Sequence, residues 1–257
     1  LSFAWRGLRL LGRGPLPAML SPGDRVAVDL YWQAEQASLP EMQAQFELQP
    51  LAAAEPSATP VTHAAALANG YTPDAWAAGE TVRDRQVWRL PSDAANGAYR
   101  LALRLLAGGE TSSTVELGEV EIAGRAHSFE PPAAMERTSG ATFGALGRLL
   151  GYDGPVITDD TLALTLYWQA LGPSASPHNV SVQLLDAGGV LAAQRDQPPG
   201  DGAYPTTGWL AGEVLADAYR FDLPPDLPSG TYTVIVKLYD ATSFAPLLAT
   251  LPDGSAA

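Results

Sequence analysis

Leu162-Ala163-Leu164-Thr165-Leu166-Tyr167-Trp168-Gln169-Ala170 decides the fold. On an extended chain Leu162, Leu164, Leu166 and Trp168 fall on one side, and Ala163, Thr165, Tyr167 and Gln169 on the other. A period of two with one apolar face marks a half-buried β-strand. The stretch also has a counterpart. Val28-Asp29-Leu30-Tyr31-Trp32-Gln33-Ala34 aligns with residues 164–170 at an offset of 136, and sends Val26, Val28, Leu30 and Trp32 inward. Residues 230–238 alternate likewise, with Tyr232, Val234, Val236 and Leu238 inside and Thr233 and Lys237 outside. Residues 97–105 repeat that pattern, with Arg100 and Arg104 outside.

The recurrence extends along the chain. Tyr71, Trp76, Gly79 and Glu80 return as Tyr204, Trp209, Gly212 and Glu213, and residues 71–107 match 204–240 at 12 of 37 ungapped positions. Internal duplication therefore divides the chain into domains 1–124 and 140–257. Residues 125–139, with the Pro131-Pro132 pair, are expected to be a linker.

Alternating strands, 25 glycines and 22 prolines, and no amphipathic helix predict an all-β protein: two tandem antiparallel β-sandwiches. The Ala-rich stretch 51–69, with Pro56 and Pro60, reads as a loop with at most one helical turn. In each half a Trp ends a central strand (Trp32, Trp168). Leu-Pro-x-Asp then precedes Gly-x-Tyr, as at Leu90 to Tyr99 and Leu223 to Tyr232. This pairing resembles the core Trp and tyrosine corner of immunoglobulin-like sandwiches, although the inter-sheet cysteine pair is missing. The first half closes with a good strand, Thr114 to Ile122. The second stops at residues 251–257 with no equivalent, so domain 2 either continues in a longer chain or has an open edge that something else fills.

Composition excludes several functions. With 28 acidic against 15 basic residues, the net charge of −13 opposes binding to nucleic acid or anionic lipid. No cysteine is present, so a disulfide scaffold, a thiol nucleophile and cysteine-ligated metal are ruled out. No run of eighteen apolar residues spans a membrane. The chain begins at Leu1 without a secretion signal, which reads as a piece of something longer.

The pattern Leu150-Gly151-Tyr152-Asp153, Leu164 to Ala170, Val182 to Gly188, Tyr204 to Glu213, Leu223 to Tyr232 and Val236 to Asp240 resembles a known family. These are the uncharacterised β-sandwich modules attached to bacterial multi-spanning membrane glycosyltransferases of the mannosyltransferase-like kind. The resemblance is strong over about residues 140–250 and weaker over 1–123. It implies an extracytoplasmic, cell-surface location, with any membrane contact made through a parent segment absent here, and it carries over no activity.

The residues offer little for catalysis. His63, His127 and His178 lie far apart and read as surface histidines, not a metal site. Asp159-Asp160, with Asp153 nearby, is the nearest approach to a calcium loop but lacks a recognised ligand spacing. No nucleophile elbow or phosphate-binding glycine loop occurs. Glu80 with Asp84, and Glu213 with Asp217, recur at matched positions. Glycoside hydrolysis would need two such acids facing each other, but recurrence in both halves favours turns in which Glu80 and Glu213 cap backbone amides. No cofactor is expected.

Aromatic residues remain as the best clue to a ligand. Trp76 and Trp209 lie beside Gly-Glu in turn-rich segments, and Tyr31 with Gln33 and Tyr167 with Gln169 alternate away from the core Trp face. Exposed, these six residues, with Glu80 and Glu213 making eight, could stack and hydrogen-bond a sugar; packed, Trp76 and Trp209 would plug their sandwiches. Packing is favoured. The resulting expectation is a non-catalytic accessory or interaction module of a larger bacterial envelope protein, whose partner is a glycan or a neighbouring envelope protein. The alternatives are a surface-layer or filament subunit completed by strand exchange, and a hydrolase using Glu80 or Glu213. Oligomeric state is not legible.

Overall fold

The computed structural model describes residues 3–52, 54–68, 70–158 and 160–256. The chain divides into two compact units, Leu1–Arg125 and Ala126–Ala257. In each, two sheets enclose one apolar core, giving an immunoglobulin-like β-sandwich. Among the described residues no helix is long and apolar enough to cross a membrane.

The first unit contains β1 (Phe3–Trp5), β2 (Leu8–Arg13), β3 (Met19–Leu20), β4 (Arg25–Ala34), β5 (Gln43–Pro50), β6 (Val61–Ala66), β7 (Thr81–Arg89), β8 (Gly97–Ala107), β9 (Glu110–Thr111) and β10 (Val115–Ile122). One sheet runs β1-β2-β4-β7. The other runs β3-β10-β8-β5-β6, with β9 on β8. The pairs are antiparallel except the short β3–β10 contact, which is parallel. Val26, Val28, Leu30 and Trp32 are buried as the alternation predicts, and Phe3 meets the Trp32 ring edge-on at 6.5 Å.

The second unit contains β11 (Arg137–Thr138), β12 (Thr142–Phe143), β13 (Gly147–Thr158), β14 (Thr161–Ala170), β15 (His178–Leu185), β16 (Leu191–Gln197), β17 (Val214–Asp222), β18 (Thr233–Asp240) and β19 (Ala249–Thr250). Its sheets run β17-β14-β13-β12-β19, with β11 on β13, and β16-β15-β18. Leu162, Leu164, Leu166 and Trp168 are buried between them.

Both tyrosine corners form. The Tyr99 hydroxyl donates to the Ala95 carbonyl at 2.9 Å and the Tyr232 hydroxyl to Pro228 at 2.6 Å, each four residues back. Tyr99→Phe deletes one bond in a buried setting, so a loss of about 1 kcal/mol is expected in urea denaturation. An unchanged midpoint would show that the bond contributes nothing net.

Two expectations need correction. Residues 61–66 of the supposed loop form a strand, β6, paired along β5 from Gln43↔Ala66 to Leu48↔Val61. The inner positions of this edge strand are Val61, His63 and Ala65, a set with a polar ring in the middle and one large aliphatic residue, so the apolar alternation was too weak to read. His63 on β6 stacks on Trp88 at 4.9 Å, and burial lowers its pKa. The second concerns residues 126–139, expected to be a linker, which lie within the second compact unit. Val214 N donates to Ser128 O at 2.7 Å, His127 Nδ1 lies 2.9 Å from Glu213, and β11 pairs with β13. The close approach depends on Gly151, where a Cβ would stand 2.2 Å from the Arg137 carbonyl oxygen.

The two units end differently. In the first, Ser112 N bonds Leu105 O at 2.9 Å and the chain continues beside β8 as β10. In the second, Leu247 N bonds Leu238 O at 2.8 Å at the matched position, but the chain then crosses to the opposite sheet, where β19 pairs with β12.

Candidate functional site

The recurrent Tyr-Trp-Gly-Glu residues build the same loop twice. Thr72 leads into a single 3-10 turn, Pro73–Ala75, and Pro205 into another, Thr206–Gly208. The indole of Trp76 donates to Tyr71 O at 2.8 Å, and that of Trp209 to Tyr204 O at 2.9 Å. Gly79 and Gly212, at φ 84° and 83°, turn the chain where a side chain would be strained. Their amides then bond the carbonyls of Ala34 and Ala170 at 2.7 and 2.8 Å. Glu80 accepts from Ala77 N at 2.8 Å, and Glu213 from Leu210 N at 3.1 Å.

This geometry overturns the stacking role of the two tryptophans. Trp76 is 1% exposed and Trp209 is fully buried, so neither indole offers a face to a sugar. Both are packed as plugs of their sandwiches, the alternative that their recurrence in both halves favoured. The carboxylates are equally committed. Glu80 also receives the Tyr71 hydroxyl at 3.0 Å, and Glu213, fully buried, is held by His127. Neither is a free acid of the kind a hydrolase needs.

The next acids in the repeat, Asp84 and Asp217, lie deeper. Asp84 accepts from Gln86 Nε2 at 2.7 Å and Trp32 Nε1 at 3.4 Å. Asp217 accepts from Gly200 N at 2.8 Å, Tyr219 Oη at 2.7 Å and Trp168 Nε1 at 3.2 Å. Each core Trp therefore finds its hydrogen-bond partner in a buried carboxylate. Burial raises both Asp pKa values, with the donated hydrogen bonds opposing it, and raises the pKa of Tyr219. Sequence inspection noticed these acids but missed their link to the tryptophans, since the pairing runs across strands about 50 residues apart.

The outward sheet residues differ between units. Tyr31 is 38% exposed, in register with Gly12 on β2 and Arg83 on β7, while Gln33 beside it is half-buried. Nothing stands within 4 Å of where a Gly12 side chain would begin, so the surface beside Tyr31 is open. Arg83 forks onto Asp29 with both bonds at 3.1 Å, which lowers the Asp29 pKa. Tyr167 is less free: it is half-buried, and its hydroxyl donates to Asp153 at 2.6 Å. That bond and the Glu136 amide lower the Asp153 pKa. Gln169 is also half-buried.

His178, expected at the surface, is buried, with Nδ1 2.9 Å from the Ser176 carbonyl. Among the described residues no group of three or more His, Asp or Glu side chains could hold a metal ion. Asp159 of the calcium reading lies outside the described residues.

A cleft of about 500 Å³ in the second unit is lined by Asp186, Gly188, Leu227, Pro228, Gly230 and Tyr232, among others. In the first unit the longer β5–β6 connection crosses the matched place: Leu51 N bonds Ala98 O at 2.9 Å and Glu55 N bonds Asn96 O at 3.0 Å. No protein-family model matches the chain, and no curated protein matches it. Among solved structures it is similar, at 9% identity and a TM-score of 0.28, to the chicken CNTN1 FN1-FN3 domains. The match covers 92% of this chain, which spans 62% of that one.

Proposed function

We propose that this chain is a non-catalytic interaction module, a tandem pair of β-sandwiches serving a larger bacterial envelope protein on its outer face. One observation carries the reading: the recurrent Trp, Glu and Asp residues close the same loop and core in both units, so the duplication preserved scaffold and not chemistry. The sequence resemblance to glycosyltransferase-associated modules supports the location, and the acidic balance disfavours nucleic acid as partner.

Within this reading the glycan-binding face narrows to Tyr31 and Gln33. Tyr31 is the exposed aromatic of the eight residues singled out above, flanked by an amide and by open space over Gly12. Stacking of a pyranose face on a phenol, with hydrogen bonds from flanking amides, needs those elements together. A glycan-array screen tests it. Binding by the parent chain that falls at least about tenfold in Tyr31→Ala, a step of about 1.4 kcal/mol, is the expected result. Silence from the folded parent, or binding indifferent to Tyr31, would remove glycan recognition at this face.

A further inference from the structure

We infer that the outer edge of β18 is an acceptor for an extended strand of another polypeptide, one with apolar residues at alternate positions and acidic residues between them. The inference rests on the interaction-module reading, and is independent of the Tyr31 face.

The first unit shows what the slot is built to hold. There β8 is flanked on its outer side by β10, in register from Val115↔Leu103 to Ile122↔Gly97. Val115, Leu117, Val120 and Ile122 enter the core, and Tyr99, Leu101 and Leu103 beneath them are sealed. On the outer face Glu116 and Glu119 meet Arg100 at 3.2 and 3.7 Å, and Thr114 accepts from Arg104 at 2.8 Å.

At the offset of 133, Tyr232, Val234 and Val236 of the second unit replace Tyr99, Leu101 and Leu103. They face the core but remain only half-buried, and among the described residues no strand beside them supplies the four apolar side chains that β10 supplies in the first unit. Among the described residues, β18 pairs with β15 on one side and on the other only with the short return through Pro246. Leu238 O and Asp240 N bond that return at 2.8 and 2.9 Å and so point away from β15. Alternate residues of an antiparallel strand share this direction, which places the N–H and C=O groups of Val234 and Val236 along the open side.

Residues 248–256 do not occupy the slot. After Leu247 the backbone leaves for β12, and Pro252-Asp253-Gly254 form a turn; proline has no N–H for a ladder. Charge selects among foreign strands. Lys237 occupies the place of Arg104, is exposed, and makes no ion pair among the described residues, so a carboxylate on the incoming strand gains a partner. Addition of a strand to an open edge then combines ladder hydrogen bonds with pockets for alternate side chains.

The test uses the full chain and a labelled ten-residue peptide with the sequence of residues 114–123. Fluorescence anisotropy is expected to show saturable binding, weakened at least about tenfold by Val236→Pro. That substitution removes an outward N–H while leaving the β15 ladder intact. A peptide of equal composition, with its apolar and acidic positions exchanged, is expected not to bind. In the unsubstituted chain the peptide should slow amide exchange at Val234 and Val236, which keeps the test decisive even if the proline variant misfolds. Absent binding, equal binding of the out-of-phase peptide, or unchanged exchange at both valines overturns the inference. So does a β18-edged homodimer that excludes the peptide. Failure here leaves the Tyr31 screen untouched, and the reverse also holds.

Discussion

Trp209→Ala is expected to destabilise the second unit by about 3–5 kcal/mol, the usual cost of truncating a fully buried large aromatic side chain. The indole leaves a cavity against Gly147, where even a Cβ would approach its ring to 2.9 Å, and the Tyr204 carbonyl loses its donor. Since whole domains hold only about 5–15 kcal/mol, a large part of the unit's stability would go. Urea denaturation followed by circular dichroism should show the corresponding transition at a much lower midpoint. Trp76→Ala, with the same bond and the same burial, should behave alike in the first unit. A mild effect at either site would mean that the loop is an ornament and not a plug.

Asp217 is the second site of large expected effect. Asp217→Ala strands the Trp168 indole N–H, the Tyr219 hydroxyl and the Gly200 amide inside the sandwich. At about 1–3 kcal/mol for each buried group left unsatisfied, a loss of about 3–5 kcal/mol remains after partial relaxation. The acid also imposes a pH dependence. Burial raises its pKa in the folded unit, with the Tyr219, Gly200 and Trp168 hydrogen bonds working against the rise. The folded state therefore binds this proton more tightly than the unfolded chain does. The resulting stabilisation is full below the unfolded value of about 3.9 and is lost as pH climbs through the raised folded value. Asp217→Asn has no such slope. The stability margin of the parent over this variant should be greatest below about pH 4, the unfolded pKa, and shrink to a plateau once pH has passed the raised folded value. A margin that grows with pH contradicts the assignment.

The strands that carry the core were legible because one buried face imposes a period of two, as in Val26 to Trp32 and Leu162 to Trp168. The tyrosine corners were legible too, since Gly-x-Tyr after Leu-Pro-x-Asp is a local signal for a local bond. The plugging of Trp76 and Trp209 was favoured because both recur, and their Glu neighbours cap the loop while the indoles are buried. Features decided by tertiary contact were less legible. The edge strand β6 turns Val61, His63 and Ala65 inward, too polar and too small a set to show an apolar period, and so resembled a loop. Residues 126–139 read as a linker because Gly151, which admits them against β13, lies on another segment. The difference between the two units beyond Leu105 and Leu238 showed in the sequence only as the absence of a second Thr114-to-Ile122 stretch; matched backbone bonds at the two leucines are followed by β10 in one unit and by β19 on the opposite sheet in the other.

Lys237 is the chain's only lysine, and it stands on the outer face of that uncovered strand. An amine-directed reagent therefore has one side-chain target in the molecule. A dye or biotin placed there marks the β18 edge without mutagenesis, and the rate of acylation becomes a footprint of whatever shields it. The same singularity means that any molecule coupled to a support through a lysine side chain is held by this edge, so binding assays on that fraction would sample the other faces of the protein and not this one.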